Sequence, residues 1–398
     1  MNEESLLNQI MSKNKEDELA SLNIADFVNR LFSGLNKREQ EVLLSRFGLG
    51  GFPKETLEAI GKKHQLTRER IRQIETTSIA KLKKLGVADQ VLARLGQAIS
   101  EILEEHAGTI DKDYLKEILF ELSHGRENLG REAHDRYVDF VTAKLLDSHF
   151  EEVKNSDHFN SFLKLKFREV DHMEQVAEEL LAKVREMKTL LNTEDLIAMA
   201  KGLDAYKQNQ DKFKAPGNLN LRLPLEKVID GFSDGIYENR SVYNMLRSLS
   251  DLQQNKFKQW GASDWREVNP KTINDKIYMV LKSDGKPMYY GDIAKRIAEM
   301  GFDAKGVNVA TTHNELILDD KYILVGRGLY GLREWGYQSG TVADIIASIL
   351  EKQSPLTKED IIKNVLQQRI VKQTTINLAL MNKNRFRKLD GGVYEPVV

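Results

Sequence analysis

Apolar residues recur three and four apart along most of this chain, the spacing of helices that turn one face to a core. Three such helices crowd into residues 35–86. Asn36 is placed to cap the first, with Glu39 three residues on in a capping-box arrangement. Val42, Leu43 and Phe47 form its buried side, and Gly48, Gly50, Gly51 and Pro53 end it in a turn. Thr56 opens the second helix, Leu57 and Ile60 are its apolar side, and Gly61, which costs about 1 kcal/mol against alanine in a helix, is tolerable where another helix must approach closely. That helix ends near His64, and Gln65 and Leu66 make a short turn. Thr67 caps the third helix, which places Ile71, Ile74, Ser78, Leu82 and Leu85 on one side. The opposite side carries Glu69, Arg72, Gln73 and Thr76, bordered by Arg68 and Arg70. Two helices joined by so short a turn predict a helix-turn-helix.

Charge gives that module a direction. The 398-residue chain has a formal net charge of −1, yet residues 35–86 hold 12 Lys/Arg against 6 Asp/Glu, a local +6 on a body of −7. A basic module on an acidic body is the footprint of a local nucleic-acid site. The exposed side of the third helix suits a major groove: Arg pairs with guanine, Glu accepts from cytosine, and Gln pairs with adenine. Recognition helices contact bases mainly with their N-terminal residues. By periodicity alone, a solvated surface helix of mixed charge reads the same way.

The segment TRERIRQIE (residues 67–75), with SRFGLGG and TLEAIGKKHQLT ahead of it, resembles region 4 of the sigma-70 family. That region reads the −35 promoter element and docks on the flap of RNA polymerase core. The resemblance implies that Arg68, Glu69, Arg72 and Gln73 face bases, while Arg46, Thr56, Lys62 and Arg70 approach phosphates. Ala59 departs from the family, where an acidic residue is common. No aromatic-rich segment of the kind that melts promoters precedes residue 35. The chain is therefore expected to work with a complete sigma factor rather than replace one.

Beyond residue 86 a plan recurs: an amphipathic helix, a short turn-like stretch, then a helix opening with an acidic and an apolar residue. It is visible in GTIDKDYLKEILF (108–120), LNTEDLIAMAKG (191–202), KPMYYGDIAKRIAEMG (286–301) and SPLTKEDIIKNVLQ (354–367). Leu115, Leu196, Ile293 and Ile361 hold the equivalent place, at separations of 81, 97 and 68 residues, too uneven for a solenoid. Glycine-broken, aromatic endings at 257–268 and 329–336 read as hairpin wings. The third repeat, with a wing at 322–335, resembles the HARE-HTH family, which includes the N-terminal domain of the RNA polymerase delta subunit; this implies a winged helix linked to polymerase or DNA. In the last repeat Arg385, Arg387 and Lys388 precede an Asp390, Gly391, Gly392 turn, either a basic wing touching phosphate or a solvated hairpin.

The expected fold is mainly α with small β wings, a helix-turn-helix followed by tandem winged-helix-like domains. Its parts are an acidic N-terminal tail or helix (1–34), the helix-turn-helix (35–86), possible winged helices (90–168 and 169–268), the HARE-HTH-like unit (271–336) and a C-terminal winged helix (340–398). The best candidate for a loop is 214–224.

Apolar residues make up 41% and charged residues 30% of the chain, enough for real cores. Cysteine is absent, which excludes disulfides and thiolate zinc sites. No run is long enough to span a bilayer, and the acidic start MNEESLLNQI lacks the basic opening of a secretory signal. A cytoplasmic, nucleoid-associated location is expected, with no membrane partner. No nucleotide loop, nucleophile elbow or zinc-protease motif occurs. No enzyme activity, cofactor, metal or small-molecule substrate is expected. His124 and His134 are expected at the surface, and Asp319 and Asp320 lack the further acidic residue a nuclease metal site needs. Three readings remain. The chain is a sigma-like accessory factor or regulator, binding double-stranded DNA and RNA polymerase; or a polymerase-bound subunit that reads no sequence; or an accessory protein of DNA restriction or modification.

Overall fold

The computed structural model describes residues 23–88, 90–123, 130–154, 156–302, 307–389 and 391–397. The chain is mainly helical, with small antiparallel sheets. It divides into two compact units. The first runs to Gln254 and takes in Lys258–Ser263; the second comprises Asn255–Phe257 and Asp264–Val398.

The first unit opens with α1 (Ile24–Phe32), α2 (Lys37–Phe47), α3 (Leu57–His64) and α4 (Arg68–Ala88). Helix α1 lies within the stretch expected as an acidic tail, but it is a core element: Ile24, Ala25, Phe27, Val28, Leu31 and Phe32 are all buried. Residues 1–22 of that expected tail lie outside the described residues. Val42, Ile60, Ile71 and Ile74 form the core of the helix-turn-helix, with Leu57 and Leu66 packed against it. Full burial of such a side chain contributes about 1.5–3 kcal/mol. Leu85, expected on this face, is 39% exposed, because α4 runs past the core before its last turn.

The remaining elements repeat one order: helix, strand, two helices, two strands, with the last strand in the middle of the sheet. The first set is α5 (Val91–Glu104), β1 (Thr109–Asp111), α6 (Lys112–Leu122), α7 (Arg131–Phe140), β2 (Phe150–Val153) and β3 (Phe162–Leu165), in sheet order β1-β3-β2. The second is α8 (Asp171–Met187), a bridge between Leu191 and Trp260 in place of the first strand, α9 (Thr193–Gly202), α10 (Arg240–Ser248), β4 (Leu252–Gln254) and β5 (Trp260–Ala262). Between α9 and α10 it holds an insertion with short helices Asp204–Asn209, Arg222–Val228 and Asp234–Glu238. The strands here are earlier than the expected hairpin at 257–268: the chain turns after Ala262, and Trp265 is in no strand.

The second unit holds α11 (Ile273–Asp284), β6 (Met288–Tyr289), α12 (Tyr290–Glu299), α13 (Val309–Leu318), β7 (Tyr322–Gly326) and β8 (Leu329–Leu332), in order β6-β8-β7. It continues with α14 (Val342–Lys352), β9 (Leu356–Thr357), α15 (Lys358–Gln368), α16 (Gln373–Leu380), β10 (Phe386–Lys388) and β11 (Val393–Pro396), in order β10-β11-β9. This order is that of a winged helix. Leu115, Leu196, Ile293 and Ile361 are each the fourth residue of the helix after the first strand, and each is buried. The two sets in this unit touch through backbone: the Ile370 N–H donates to the Val325 carbonyl at 2.8 Å. Asp319 is engaged in structure, accepting from the Lys321 N–H at 3.0 Å and from the Asn274 amide at 3.1 Å.

Two other expectations change in three dimensions. His134 is buried on α7, its ring edge-on to Phe120 at 5.3 Å; His124 lies outside the described residues. The loop at 214–224 is anchored: the Glu105 carboxylate accepts from the N–H groups of Gly217 (3.2 Å), Asn218 (2.6 Å) and Leu219 (3.0 Å).

Candidate nucleic-acid interface

Local chemistry fixes the three helices α2, α3 and α4. The Asn36 side chain accepts from the Glu39 N–H at 2.9 Å, and the Glu39 carboxylate accepts from the Asn36 N–H at 3.0 Å, closing the capping box. Glu39 also bonds Lys81 of α4, and this bond holds its carboxyl below the usual range. Thr56 caps α3, accepting from the Ala59 N–H at 3.2 Å, and Thr67 accepts from the Arg70 N–H at 3.2 Å. Between α3 and α4, Gln65 takes a left-handed conformation (φ 56°). The close approach at Gly61 comes from this turn, not from another helix. A Cβ there would lie 2.7 Å from the Leu66 carbonyl oxygen, whose own N–H donates back to Gly61 at 2.8 Å.

That turn sets α4 with Ile71, Ile74, Ser78 and Leu82 inward. Arg68, Glu69, Arg70, Arg72, Gln73 and Thr76 are all exposed on its N-terminal half. Thr56 and Lys62, on α3, are exposed too. Among themselves the exposed residues are paired. Arg72 grips Glu69 with two bonds of 2.8 and 2.7 Å, which lowers the Glu69 carboxyl and raises the guanidinium. Arg70 donates to the Gln73 amide oxygen at 3.1 Å, and Lys62 pairs with Glu58 at 3.1 Å. In water such surface pairs are weak.

Arg46 differs from the rest. It donates to the Glu55 carbonyl at 3.2 Å and lies 3.5 Å from the Glu75 carboxylate, so it ties α2 to the approach to α3 and to α4. The wing residues Arg385, Arg387 and Lys388 belong to the second unit, and two of them are paired. Arg385 meets Asp344 at 2.8 Å, and Arg387 bonds Glu395 at 2.6 Å.

Arg38 is a residue that periodicity passes over. It is exposed in the first turn of α2 and, with Asn36, Arg70, Gln73 and Thr77, lines a concavity of about 480 Å³. Its signal in the sequence is electrostatic: cations in a first turn oppose the helix dipole, so Lys37 and Arg38 do not help the helix they open.

The module is fastened to α7. The Tyr137 hydroxyl accepts from the Gly50 N–H at 3.1 Å and donates to Asn29 at 3.0 Å. Arg136 donates to the Gly48 and Phe52 carbonyls, each at 3.2 Å. Gly48 caps α2 at φ 69°, and a Cβ there would meet Arg136 at 3.1 Å. Phe47 and Phe140 pack at 4.9 Å.

Comparison with known proteins agrees with this geometry over a limited stretch. The chain is 35% identical over 86 residues to RNA polymerase sigma factor RpoS of Coxiella burnetii, covering 21% of this chain and 24% of the relative. It is 43% identical over 68 residues to RNA polymerase sigma factor SigA1 of Synechococcus elongatus, 17% of each. It is 35% identical over 81 residues to RNA polymerase principal sigma factor HrdD of Streptomyces viridifaciens, 20% of this chain and 24% of the relative. The chain thus spans about a quarter or less of the length of these relatives. No solved structure matches the chain. Residues 31–84 match the family described as Sigma-70, region 4.

Proposed function

We propose that this chain is a non-enzymatic, cytoplasmic transcription protein that holds promoter DNA with α4 and works with RNA polymerase. The observation that carries the reading is the division of α4. Its inward face is core, while Arg68, Glu69, Arg72 and Gln73 stand exposed together at its N-terminal end, in a stretch that matches Sigma-70, region 4. In this reading the Glu69–Arg72 and Arg70–Gln73 pairs open on DNA, and their groups turn to base edges or phosphate. Thr56, Lys62 and Arg70 approach the backbone, joined by Arg38. Arg46 acts as a positioning residue, setting α3 against α4. The flap of RNA polymerase core is the protein partner that the region 4 match supports. The HARE-HTH-like stretch at 271–336 supports the same association.

Fluorescence anisotropy of the full chain on a duplex bearing a −35-type element, and on a scrambled duplex, tests the reading. Gln73→Ala is expected to erase most of the preference between them. Lys62→Ala and Arg38→Ala are expected to weaken both duplexes alike and lower the salt slope by about one each. Equal affinity of the unaltered chain for both duplexes would show that the module docks on polymerase without reading sequence.

A further inference from the structure

The end of α16 borders a groove that the DNA reading leaves unused. Leu380, Phe386 and Tyr394 make its floor, Asn377, Met381 and Val397 its walls, and it encloses about 630 Å³. That volume lies in the ~300–1,000 Å³ range of binding sites. Met381 is 71% exposed, and Leu378, one turn back on α16, is 70% exposed. The sequence of α16, QTTINLAL, carries no charge. Its exposed residues begin with the polar Gln373, Thr374 and Thr375, but the end beside the groove exposes Leu378, followed by Met381, and no cation.

The rim has the opposite character. Lys358, Lys383, Arg387 and Lys388 stand around the groove. Residues 361–389 contain seven Lys/Arg and no Asp/Glu. Glu395 neutralises Arg387. Among the described residues no acidic group pairs with Lys358, Lys383 or Lys388.

We propose that this groove docks an acidic amphipathic helix of a partner protein. Apolar side chains spaced three and four apart would fill the floor and cover Met381, in the helix-in-groove mode. Carboxylates on the flanks of that helix would meet the three lysines, which steer the encounter and fix the register. Nucleic acid fits less well, because the cations are confined to the rim and the floor is largely the apolar surface of Leu380, Phe386 and Tyr394.

A displayed library of random 16-residue peptides, selected on the full chain, tests this. Enriched peptides are expected to carry Leu, Ile, Phe or Met at helical spacing together with Asp or Glu. Met381→Glu, a change at an exposed site that leaves the core alone, is expected to lower their affinity at least about tenfold. Lys383→Glu with Lys388→Glu is expected to lower it further at low salt than at high salt. Absence of any peptide whose binding depends on Met381 overturns the docking site. Enrichment of basic or neutral peptides overturns its charge assignment. Loss of duplex binding in the double lysine variant, with no Met381-dependent peptide, reassigns the face to nucleic acid. The peptide outcomes do not depend on α4 reading DNA.

Discussion

Helix α4 and the two third helices of the winged sets beside it, α7 and α10, hold similar places in their layers and meet opposite fates. The charged residues at the start of α4 face solvent. Arg136 of α7 and Arg240 of α10 turn into the protein, although Arg131 and Glu132 at the start of α7 stay exposed. Tyr137 and Arg136 of α7 clasp the turn between α2 and α3. Arg240 of α10 bonds the buried Glu105, and Asn244 accepts from the Asp111 N–H at 2.8 Å while donating to the Thr109 carbonyl at 3.0 Å. Asn244 thereby closes the free edge of β1, which would otherwise offer unpaired backbone groups. Arg247 lies over Tyr114 at 4.6 Å and pairs with Glu117 at 2.8 Å. A winged-helix order is therefore no sign of a DNA reader by itself. In the first unit these helices are mortar, while α4 keeps the charges of its N-terminal end exposed.

The contrast breaks most readily at Arg240. Arg240→Ala strands Glu105 without its cation in the interior, and a loss of about 3–5 kcal/mol is expected in urea unfolding of the full chain. DNA affinity per folded molecule should not change. If affinity falls with stability intact, α10 belongs to the interface and the division fails.

Acid tests the same buried layer. Burial pushes the His106 imidazole down to about 4, despite its bond of 2.8 Å to the Ile102 carbonyl, and Arg240 adds to the shift. His172 is pushed down to about 4 by burial, then by Lys212 and Arg168. The unfolded chain therefore takes up these protons first. Stability is complete above the ordinary histidine value and falls as pH drops toward 4, by up to about 3 kcal/mol for each group. Glu152 and Asp344, held near 2, lose their contribution only below the ordinary carboxylate range, so the windows separate. Asp111, raised by burial, acts in the opposite sense. The pH 7 to 5 drop in the urea midpoint should be smaller in His106→Gln; an identical drop would mean that His106 is charged in the fold.

At Tyr137 the effect is smaller. Tyr137→Phe removes the hydroxyl that joins Asn29 to the Gly50 N–H, at a cost of about 1–3 kcal/mol. Hydrogen exchange at Gly50 should quicken, while exchange in the third and fourth winged sets stays as it was. The smallest stability effect belongs to α4. Gln73→Ala should leave the urea midpoint within error, since it removes only exposed contacts. A clear shift there would make Gln73 part of the framework rather than the reader.

Much of this was legible in the chain because it rests on local rules. The capping box at Asn36 and Glu39, the caps at Thr56 and Thr67, and the inward row of Ile71, Ile74, Ser78 and Leu82 follow from spacing and hydrogen-bond chemistry within a few residues. The recurring acidic and apolar opening likewise marked four helices whose fourth residue is buried. Local rules misled where a distant partner decides. Leu85, placed by spacing on the buried row, is exposed, and His134, expected at the surface, is buried.

The sequence alone determined that three helices of fixed spacing would form one basic helix-turn-helix, because caps and periodicity act over single turns. Only the tertiary structure decided which polar residues would be spent inside. His134, Arg240 and Asn244 look like surface residues in a one-dimensional pattern. Their partners, or the walls that bury them, come from segments far along the chain, and a polar group is stable in the interior only when packing delivers those partners to it.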